Sequence, residues 1–279
     1  MVDRIETFGQ SLIQHGPHND RVYLMKLADA DMPTIVDRLR HFAEQQGYGK
    51  IFAKIPERHS APFLQAGFVR EGVIPGFYRG EQAAVFLGFF LEAERQQEQQ
   101  ASLLSEILQK AAQKTGRPAP TPLPERLSSR VAGEADADVM AELYRQVFAS
   151  YPFPIEDPAY LRQTMRENLV YFGVWDERRL IALSSAEIDV AADNAEMTDF
   201  ATLPECRGRG IAQHLLQEME EEMTRRTIRT LYTIARACSP GMNITFAKNG
   251  YTYSGTLTNN TNISGHLESM NLWYKPLLP

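Results

Sequence analysis

One short loop carries the residue types and spacing best suited to chemistry. The run Arg-Gly-Arg-Gly-Ile-Ala at 207–212 lies between a strand-like segment and an amphipathic helix pattern. Gly208 and Gly210 let backbone N–H groups turn inward without obstruction by a Cβ atom. The first turn of the helix adds unpaired N–H donors and the positive end of its dipole. The pattern predicts a site for an anion such as a pyrophosphate, and a basic turn that only caps the helix is the alternative.

The loop differs from the two common phosphate-binding motifs, since it contains neither G-x-G-x-x-G nor Gly-Lys-Ser/Thr. The elements that must position it form an alternating α/β pattern. The predicted strands cover 127–132, 170–175, 180–189, 196–203 and 230–235, with two more near Tyr251 and at 270–274. The predicted helices cover 135–149, 157–167, 210–226 and a short segment from Pro240. Such alternation is typical of an α/β domain with a mixed, α+β type of sheet.

The upstream part of the chain predicts a smaller α/β domain. Its predicted strands cover 22–27, 50–55, 68–74 and 83–91, and its predicted helices cover 31–46, with Asp31 as N-cap, and 60–65. A long polar helix, predicted over 92–114, and the proline-dense run GRPAPTPLP separate the two parts. We therefore expect an N-terminal α/β domain over 1–92, a connecting helix and linker over 93–125, and a second domain over 126–279.

The two parts contain a weak internal repeat. Residues 50–72 and 230–255 both follow the order strand, short helix, Gly-aromatic, strand. One interpretation makes the first domain a degenerate half-copy of the second; the other is that this layout is simply common. The first domain has no counterpart of the glycine loop, so we do not expect it to bind the same ligand.

Composition excludes several classes of function. Among 279 residues, Lys+Arg 29 and Asp+Glu 35 give a net charge of −6, which argues against a nucleic-acid partner. Two cysteines cannot form a disulfide framework, and the N-terminus shows no secretory signal, so a cytoplasmic protein is expected. The longest apolar run, 83–91, is too short for a membrane helix. Homodimerisation is left open.

The residues around the loop resemble the GNAT superfamily of acetyl-CoA-dependent N-acetyltransferases. Arg207 stands at the Q/R position of its Q/R-x-x-G-x-G/A loop, Gly210 at the central glycine and Ala212 at the last small residue. Lys248-Asn249-Gly250-Tyr251 resembles the family's K-x-G-F. More narrowly, the runs SPGMNITFAKNGY and SGTLTNNTNISG and the two-domain length resemble the β-lysine N6-acetyltransferases.

The resemblance implies a set of residues for acetyl-CoA. Thr202-Leu203-Pro204 stands where the family has a strand-end V-x-P, preceded by backbone groups that pair with pantetheine. The residues expected to bind the co-substrate are Phe200, Ala201, Thr202, Arg207, Gly208, Arg209, Gly210, Ile211, Ala212, Asn243, Phe246 and Lys248. No metal is expected, because neither carboxylate nor cysteine accompanies the pair His15 and His18.

Acetylation of an alkyl amine requires a proton acceptor. A lysine-like amine has a pKa of about 10.4, so deprotonating it near pH 7 costs roughly 4.6 kcal/mol. Glu196 stands eleven residues before Arg207, where histone acetyltransferases of this superfamily carry their general base. Asp199 is the second candidate; strand alternation puts it on the opposite face, unless a bulge changes the parity. A solvated carboxylate at a strand end is the alternative for either residue.

One position departs from the family pattern. Many relatives carry a tyrosine as general acid where this chain has Phe246, which has no proton to give the leaving thiolate. Tyr251, Tyr253 or water could fill this role, or the thiolate could leave unprotonated. We expect Phe246 to pack near the pantetheine instead.

The acceptor pocket has weaker signals. Tyr151 and Phe153 lie in the YPFP run between two predicted helices, where relatives build this pocket, although a stiff turn explains the same residues. Asn259 and Asn260 could hold an amino-acid head group or merely decorate a hairpin.

The resemblance predicts transfer of acetyl from acetyl-CoA to the ε-amine of β-lysine, a small-molecule acceptor, giving a compatible solute. The same fold could instead acetylate a polyamine, another diamino acid or a peptidyl lysine. A non-catalytic acyl-CoA-binding module is the rival of a different class, and the phenylalanine at 246 is its best argument.

Overall fold

The computed structural model describes residues 3–116, 120–149, 151–263 and 265–277. Part of the expected linker, 117–119, lies outside the described residues. The N-terminal half runs β1 (Arg4–Phe8), β2 (Ser11–Gly16), β3 (Arg21–Lys26), α1 (Ile35–Gln46), β4 (Lys50–Pro56), α2 (Ser60–Gln65), β5 (Val69–Tyr78) and β6 (Gln82–Phe90). No helix within the described ranges is both long and apolar enough to cross a membrane.

After α3 (Ala101–Ala112) comes the C-terminal half. Its elements are β7 (Leu127–Val131), α4 (Ala137–Val147), α5 (Pro158–Glu167), β8 (Leu169–Asp176), β9 (Arg179–Asp189), β10 (Asn194–Thr202), α6 (Ile211–Arg225), β11 (Thr230–Arg236), α7 (Pro240–Lys248), β12 (Thr252–Ile263) and β13 (His266–Pro276). The strand and helix order after residue 126 agrees with the sequence prediction.

All thirteen strands of the described residues belong to one mixed sheet. Its order is β1-β2-β3-β4-β6-β5-β12-β13-β11-β10-β9-β8-β7. Only β3 with β4 and β10 with β11 pair in parallel, and each of these pairs is connected through a helix. The order β1-β2-β3-β4-β6-β5 repeats as β8-β9-β10-β11-β13-β12. The N-terminal half therefore has the topology of the C-terminal half without β7, α4 and α5.

The two halves of the sheet join where β5 meets β12, and two glycines make this seam possible. Gly72 and Gly255 are register partners across the antiparallel pair. A Cβ atom on Gly255 would lie 1.9 Å from the backbone oxygen of Glu71, closer than atoms can approach. The seam therefore requires a residue without a side chain at 255.

The sheet curls so that its two halves enclose a shared inner core. Lys54 on β4 and Tyr232 on β11 are five strands apart in the sheet, about 24 Å if it were flat. The lysine Nζ lies 3.4 Å from the tyrosine hydroxyl. The rings of Phe77 on β5 and Tyr232 are also close, with centroids 4.9 Å apart. Separate helix-covered cores lie on each half, and this inner core of aromatic and aliphatic side chains joins them.

Two local predictions in the N-terminal half need correction. Residues 4–16, for which no element is predicted, form β1 and β2. The first helix begins at Ile35 rather than at Asp31, and Asp31 does not cap it. The Asp31 carboxylate instead accepts hydrogen bonds from the Ser11 hydroxyl, at 2.6 Å, and the Gln10 backbone N–H, at 2.8 Å. Contacts with β2 thus replace the local cap.

The expected connecting helix is shorter than predicted and packs against the C-terminal half. The prediction placed it in residues 92–114, whereas α3 covers Ala101–Ala112. It buries Leu104, Ile107 and Ala111 and packs along α7. Ala111 belongs to the hydrophobic core of the C-terminal half, so α3 is part of that half's packing.

Candidate active site

The glycine loop has the geometry of an anion cradle. β10 ends at Thr202, a single turn of 3-10 helix follows, and α6 begins at Ile211. Gly208 and Gly210 both have φ of +77°, a conformation that side chains disfavour. Gly210 is the N-cap of α6, so the first N–H groups of the helix have no intrahelical acceptor. These donors and the helix dipole favour a bound anion.

A cavity of about 590 Å³ extends from this loop between β10 and β11. Its walls come from the loop, the ends of both strands, α7 and the start of the α4–α5 connection. Of the residues predicted for acetyl-CoA, those lining the cavity are Phe200, Thr202, Arg207, Gly208, Gly210, Ile211, Ala212, Phe246 and Lys248.

Three residues predicted for acetyl-CoA do not line this cavity. Ala201 is buried in the core, and Arg209 is exposed at the loop. Asn243 is fully buried, and its amide N–H groups donate to the backbone oxygens of Arg236 and Ser239. Its amide oxygen accepts from Trp273 at 2.9 Å. Through these contacts Asn243 attaches α7 to the end of β11 and to β13.

The cavity exists because β10 and β11 part. Their parallel pairing stops at Glu196 and Tyr232, while β10 continues to pair with β9 as far as Thr202. One edge of β10 beyond residue 196 therefore has no strand partner. Its backbone N–H and C=O groups need other partners, and a ligand with an amide chain can supply them.

A bulge in β10 brings both candidate acids to one face of the sheet. Asp199 has φ of +56°, and the pairing with β9 shifts register between Thr198 and Ala201. The Asp199 carboxylate accepts a hydrogen bond from Ser185 at 2.5 Å, and Ser185 shares a face with Glu187, the register partner of Glu196. Simple alternation predicts opposite faces and is wrong here, because the bulge adds a residue.

Glu196 lies on the inner face at the point where the strands part. It is partly buried beside Tyr232, and the charges of Glu187, Lys54 and Asp199 act on its carboxyl group. Burial raises the pKa of Glu196 to about 7, with a further rise from Glu187 and an opposing effect of Lys54. A carboxylate with such a pKa is suited to accept a proton near neutral pH.

Asp199 is held more firmly than Glu196. The Tyr151 hydroxyl donates to its carboxylate, and both residues line the cavity. Burial raises the pKa of Asp199, whereas the hydrogen bonds from Ser185 and Tyr151 oppose the rise. Phe153 packs against the core and does not line the cavity.

The asparagines predicted to bind the acceptor, Asn259 and Asn260, do not line the cavity and instead contact residues that precede α3. The Asn259 amide donates to the backbone oxygens of Arg95, at 2.9 Å, and Gln97, at 3.0 Å. The backbone oxygen of Asn260 accepts from Arg21. Both residues therefore connect the two halves of the molecule.

Tyr251 and Tyr253, the two tyrosines considered for the general acid, do not line the cavity in which Phe246 lies. Phe246 is buried, edge to face with Phe200 and Tyr251 at 5.7 and 5.1 Å between centroids. Tyr251 is buried behind it, and Tyr253 is exposed with its hydroxyl against Thr256. Neither lines the cavity, so the side chains considered for the general acid are not placed for that role.

Sequence analysis missed Lys54, Glu187 and Tyr232. The available signal was a lysine inside the otherwise apolar strand IFAKIP, but only the curled sheet brings it to Glu196. Within the described ranges, no group of three or more His, Cys, Asp or Glu side chains is arranged to hold a metal ion.

The fold and the site together are those of an acyl-transferring enzyme. The acetyltransferase (GNAT) family model matches residues 138–251. The chain is 37% identical over 274 residues to the β-lysine N6-acetyltransferase of Methanococcus maripaludis, covering 98% of this chain and 99% of that protein. It is 33% identical over 279 residues to the N-acetyltransferase YodP of Bacillus subtilis, covering 99% and 100%.

A third relative, the β-lysine N6-acetyltransferase of Methanosarcina mazei, is 40% identical over 144 residues, or 52% of this chain and 53% of that protein. The chain belongs to the GNAT family of acetyltransferases, whose acetyl donor is acetyl-CoA.

Proposed function

We propose that this enzyme transfers acetyl from acetyl-CoA to the ε-amine of β-lysine. The relatives described above support this acceptor, because two of them are β-lysine N6-acetyltransferases and one aligns along nearly the whole chain. The observation that carries the proposal is the cavity that joins the glycine loop to the opening between β10 and β11. Asp199 lines this cavity, and Glu196 does not line it but is the last residue of β10 that pairs with β11.

The residues present fit the donor. The pyrophosphate suits the N–H groups at Gly208 to Ala212, where both glycines have positive φ and the helix begins. The unpaired edge of β10 at Phe200 to Thr202 offers backbone groups to the pantetheine amides. Bound acetyl-CoA supplies an activated acetyl group as a thioester.

Glu196 is the proposed proton acceptor. At pH 7 its carboxyl is partly ionised, because its pKa is raised to about 7. It takes a proton that the ε-amine loses, either directly or through a water, as that nitrogen bonds to the acetyl carbon. The carbon–sulfur bond of the thioester breaks, and CoA leaves as a thiolate that is protonated by water. Asp199, fixed by Tyr151 and Ser185, places a second carboxyl group beside the opening, and its oxygens can accept a hydrogen bond from the acceptor amine.

The residues that line the cavity indicate which half of the molecule binds acetyl-CoA. All of its lining residues lie between 147 and 270. In the N-terminal half, the connection equivalent to the glycine loop, 27–34, contains two aspartates and no glycine. We therefore propose that 126–279 binds acetyl-CoA and that 1–92 serves another purpose. A compatible-solute role for the product in the cytoplasm belongs to the same proposal.

The test is CoA thiol release with purified protein and a panel of amines, namely β-lysine, α-lysine, cadaverine, spermidine and a lysine peptide. We expect β-lysine to have the highest kcat/KM and mass spectrometry to place the acetyl group on its ε-nitrogen. Preference for a polyamine or for the peptide would assign another acceptor. Acetyl-CoA binding without release with any amine would indicate a binding module.

A further inference from the structure

A second cavity lies between the two halves of the molecule, on the same inner face as Glu196. Its volume is about 580 Å³. Lys54 from β4 and Phe77 from β5 form one side, and Glu187 and Asp189 from β9 form the other. Glu187 is the register partner of Glu196, so this side of the cavity lies one strand away from the proposed general base, which lines neither cavity.

Contacts at one end keep this cavity in a defined shape. The Asn194 amide donates to the backbone oxygen of Phe77 at 3.0 Å, and the Thr230 hydroxyl donates to that of Gly76 at 2.8 Å. The backbone N–H of Arg79 donates to the backbone oxygen of Ala192 at 2.7 Å. The β5–β6 hairpin is thus attached to the C-terminal half, so the cavity is built by both halves.

Lys54 is a cation without an anionic partner in this cavity. Its Nζ lies 3.4 Å from the Tyr232 hydroxyl, 5.5 Å from the ring centroid of Phe77 and 5.6 Å from that of Tyr232. No carboxylate of the described residues lies within 4.0 Å of it. Lys50, on the same strand, shows the contrast, since its Nζ lies 2.9 Å from Glu71.

The side chain remains charged despite this environment. The pKa of Lys54 is raised well above 10.5, because neighbouring groups, chiefly Tyr23, Tyr232 and Glu196, outweigh the opposing effect of burial. A partly buried cation whose strongest contacts are a hydroxyl and two ring faces retains unused capacity for an anion. Arg58 also lines the cavity, but Asp29 already neutralises it at 2.9 Å.

We propose that Lys54 of the N-terminal half binds the carboxylate of the acceptor amino acid in this cavity and thereby selects amino acids over polyamines. This inference rests on the proposed function. The carboxylate and the ε-amine lie at opposite ends of the acceptor, so an anchor at Lys54 directs the amine toward the opening between β10 and β11. Glu187, across the cavity, is placed to pair with the β-ammonium group. A diamine has no carboxylate and meets a positive charge instead.

The competing explanation is that Lys54 acts only through Glu196. Its charge lowers the pKa of Glu196, so its loss would make the base less ionised at neutral pH for every acceptor. The two roles separate when β-lysine and cadaverine are compared at about pH 9, where Glu196 is ionised. If Lys54 acts only through the pKa of Glu196, its loss then has little effect on kcat/KM, and the effect is equal for both amines. If Lys54 binds the carboxylate of the acceptor, its loss lowers kcat/KM for β-lysine alone.

The experiment measures kcat and KM for both amines at about pH 9 with wild type, Lys54→Met, Lys54→Arg and the control Lys110→Met. Lys110 is an exposed lysine on α3 that lines neither cavity. We expect Lys54→Met to lower kcat/KM for β-lysine at least tenfold, mainly through KM, because a hydrogen-bonded charged group is lost. The value for cadaverine should stay within twofold or rise. Lys54→Arg should recover part of the loss, and Lys110→Met should match wild type.

Equal losses for both amines, or no loss with β-lysine, would overturn the assignment of Lys54 and leave the acetyltransferase function intact. A wild-type enzyme that does not acetylate β-lysine would instead overturn the proposed function, and this inference with it. Acetyl-CoA affinity of Lys54→Met, measured by calorimetry, should equal that of wild type, which shows that the variant is folded.

Discussion

Glu196 and Tyr232 are the last residues that face each other across β10 and β11 before these parallel strands part. The residue beside the opening is therefore a carboxylic acid, and the residue opposite it is a tyrosine in contact with the other half of the molecule. The pair Glu196 and Tyr232 therefore lies at the opening between β10 and β11, contains the proposed base, and contacts the N-terminal half through Lys54.

The first prediction concerns the proton acceptor. Glu196→Gln keeps the shape of the side chain but cannot take a proton, so kcat at pH 7 should fall by about 10²–10⁴-fold. Acetyl-CoA affinity should change less than about threefold, which calorimetry can measure. A kcat loss below about threefold would move the role to Asp199, and Asp199→Asn is then the variant to compare.

The second prediction is the pH dependence that follows from the pKa of Glu196. Since the carboxylate is the active form, kcat/KM should rise with pH through an ionisation near 7. Glu196→Gln should lose this inflection and retain only the rise due to deprotonation of the free amine. An unchanged inflection near 7 in the variant would show that another group carries the proton.

The third prediction uses the same group as a probe of stability. The pKa of Glu196 is raised in the folded state from its ordinary 4.5 to about 7, so the folded protein binds the proton more tightly than the unfolded chain. Its contribution to the free energy of unfolding is present at low pH and is lost as pH rises from about 4.5 through 7. Denaturant unfolding at pH 8 should therefore show Glu196→Gln to be more stable than wild type, by on the order of 1–3 kcal/mol. The difference should shrink at pH 5, and a constant difference would rule out the raised pKa.

The fourth prediction tests the anion loop. Gly210→Asp places a side chain and a negative charge where the N–H groups converge, so calorimetry should show acetyl-CoA affinity reduced at least tenfold. Gly133→Asp is the matched control, because it adds the same charge at a position where a Cβ atom meets nothing within 4 Å. Equal affinities for the two variants would remove the loop from the proposed donor site.

The fifth prediction concerns the seam between the halves. Gly255→Ala forces its Cβ atom against the Glu71 backbone oxygen, so β5 and β12 must separate locally. We expect a loss of about 1–3 kcal/mol in the free energy of unfolding. Gly133→Ala, which meets no obstacle, should lie within about 0.5 kcal/mol of wild type. A stable Gly255→Ala protein would mean that the seam tolerates a wider spacing.

The local features of the site can be predicted from the amino-acid sequence alone. Glycines that must adopt positive φ, followed by a helix with apolar residues on one face, specify the loop at 207–210 and α6 because backbone conformation and amphipathic spacing are short-range properties. The same kind of signal located the strands and helices after residue 126, and the loop's residue types carried the family resemblance that the full-length relatives confirm.

Contacts between residues far apart in the chain depend on the folded sheet and could not be predicted. A single bulge reversed the face of Asp199, and the sequence around it contains nothing that distinguishes a regular strand from a bulged one. Asn259 and Asn260 join the two halves through contacts with Arg95 and Arg21. These contacts could not be predicted from the sequence, because the partners lie more than 160 residues away along the chain. The contact between Lys54 and Tyr232 is also invisible in the sequence. The two residues lie five strands apart in the sheet, and the curvature that brings them together builds up over all of these strands, so no local sequence pattern specifies it.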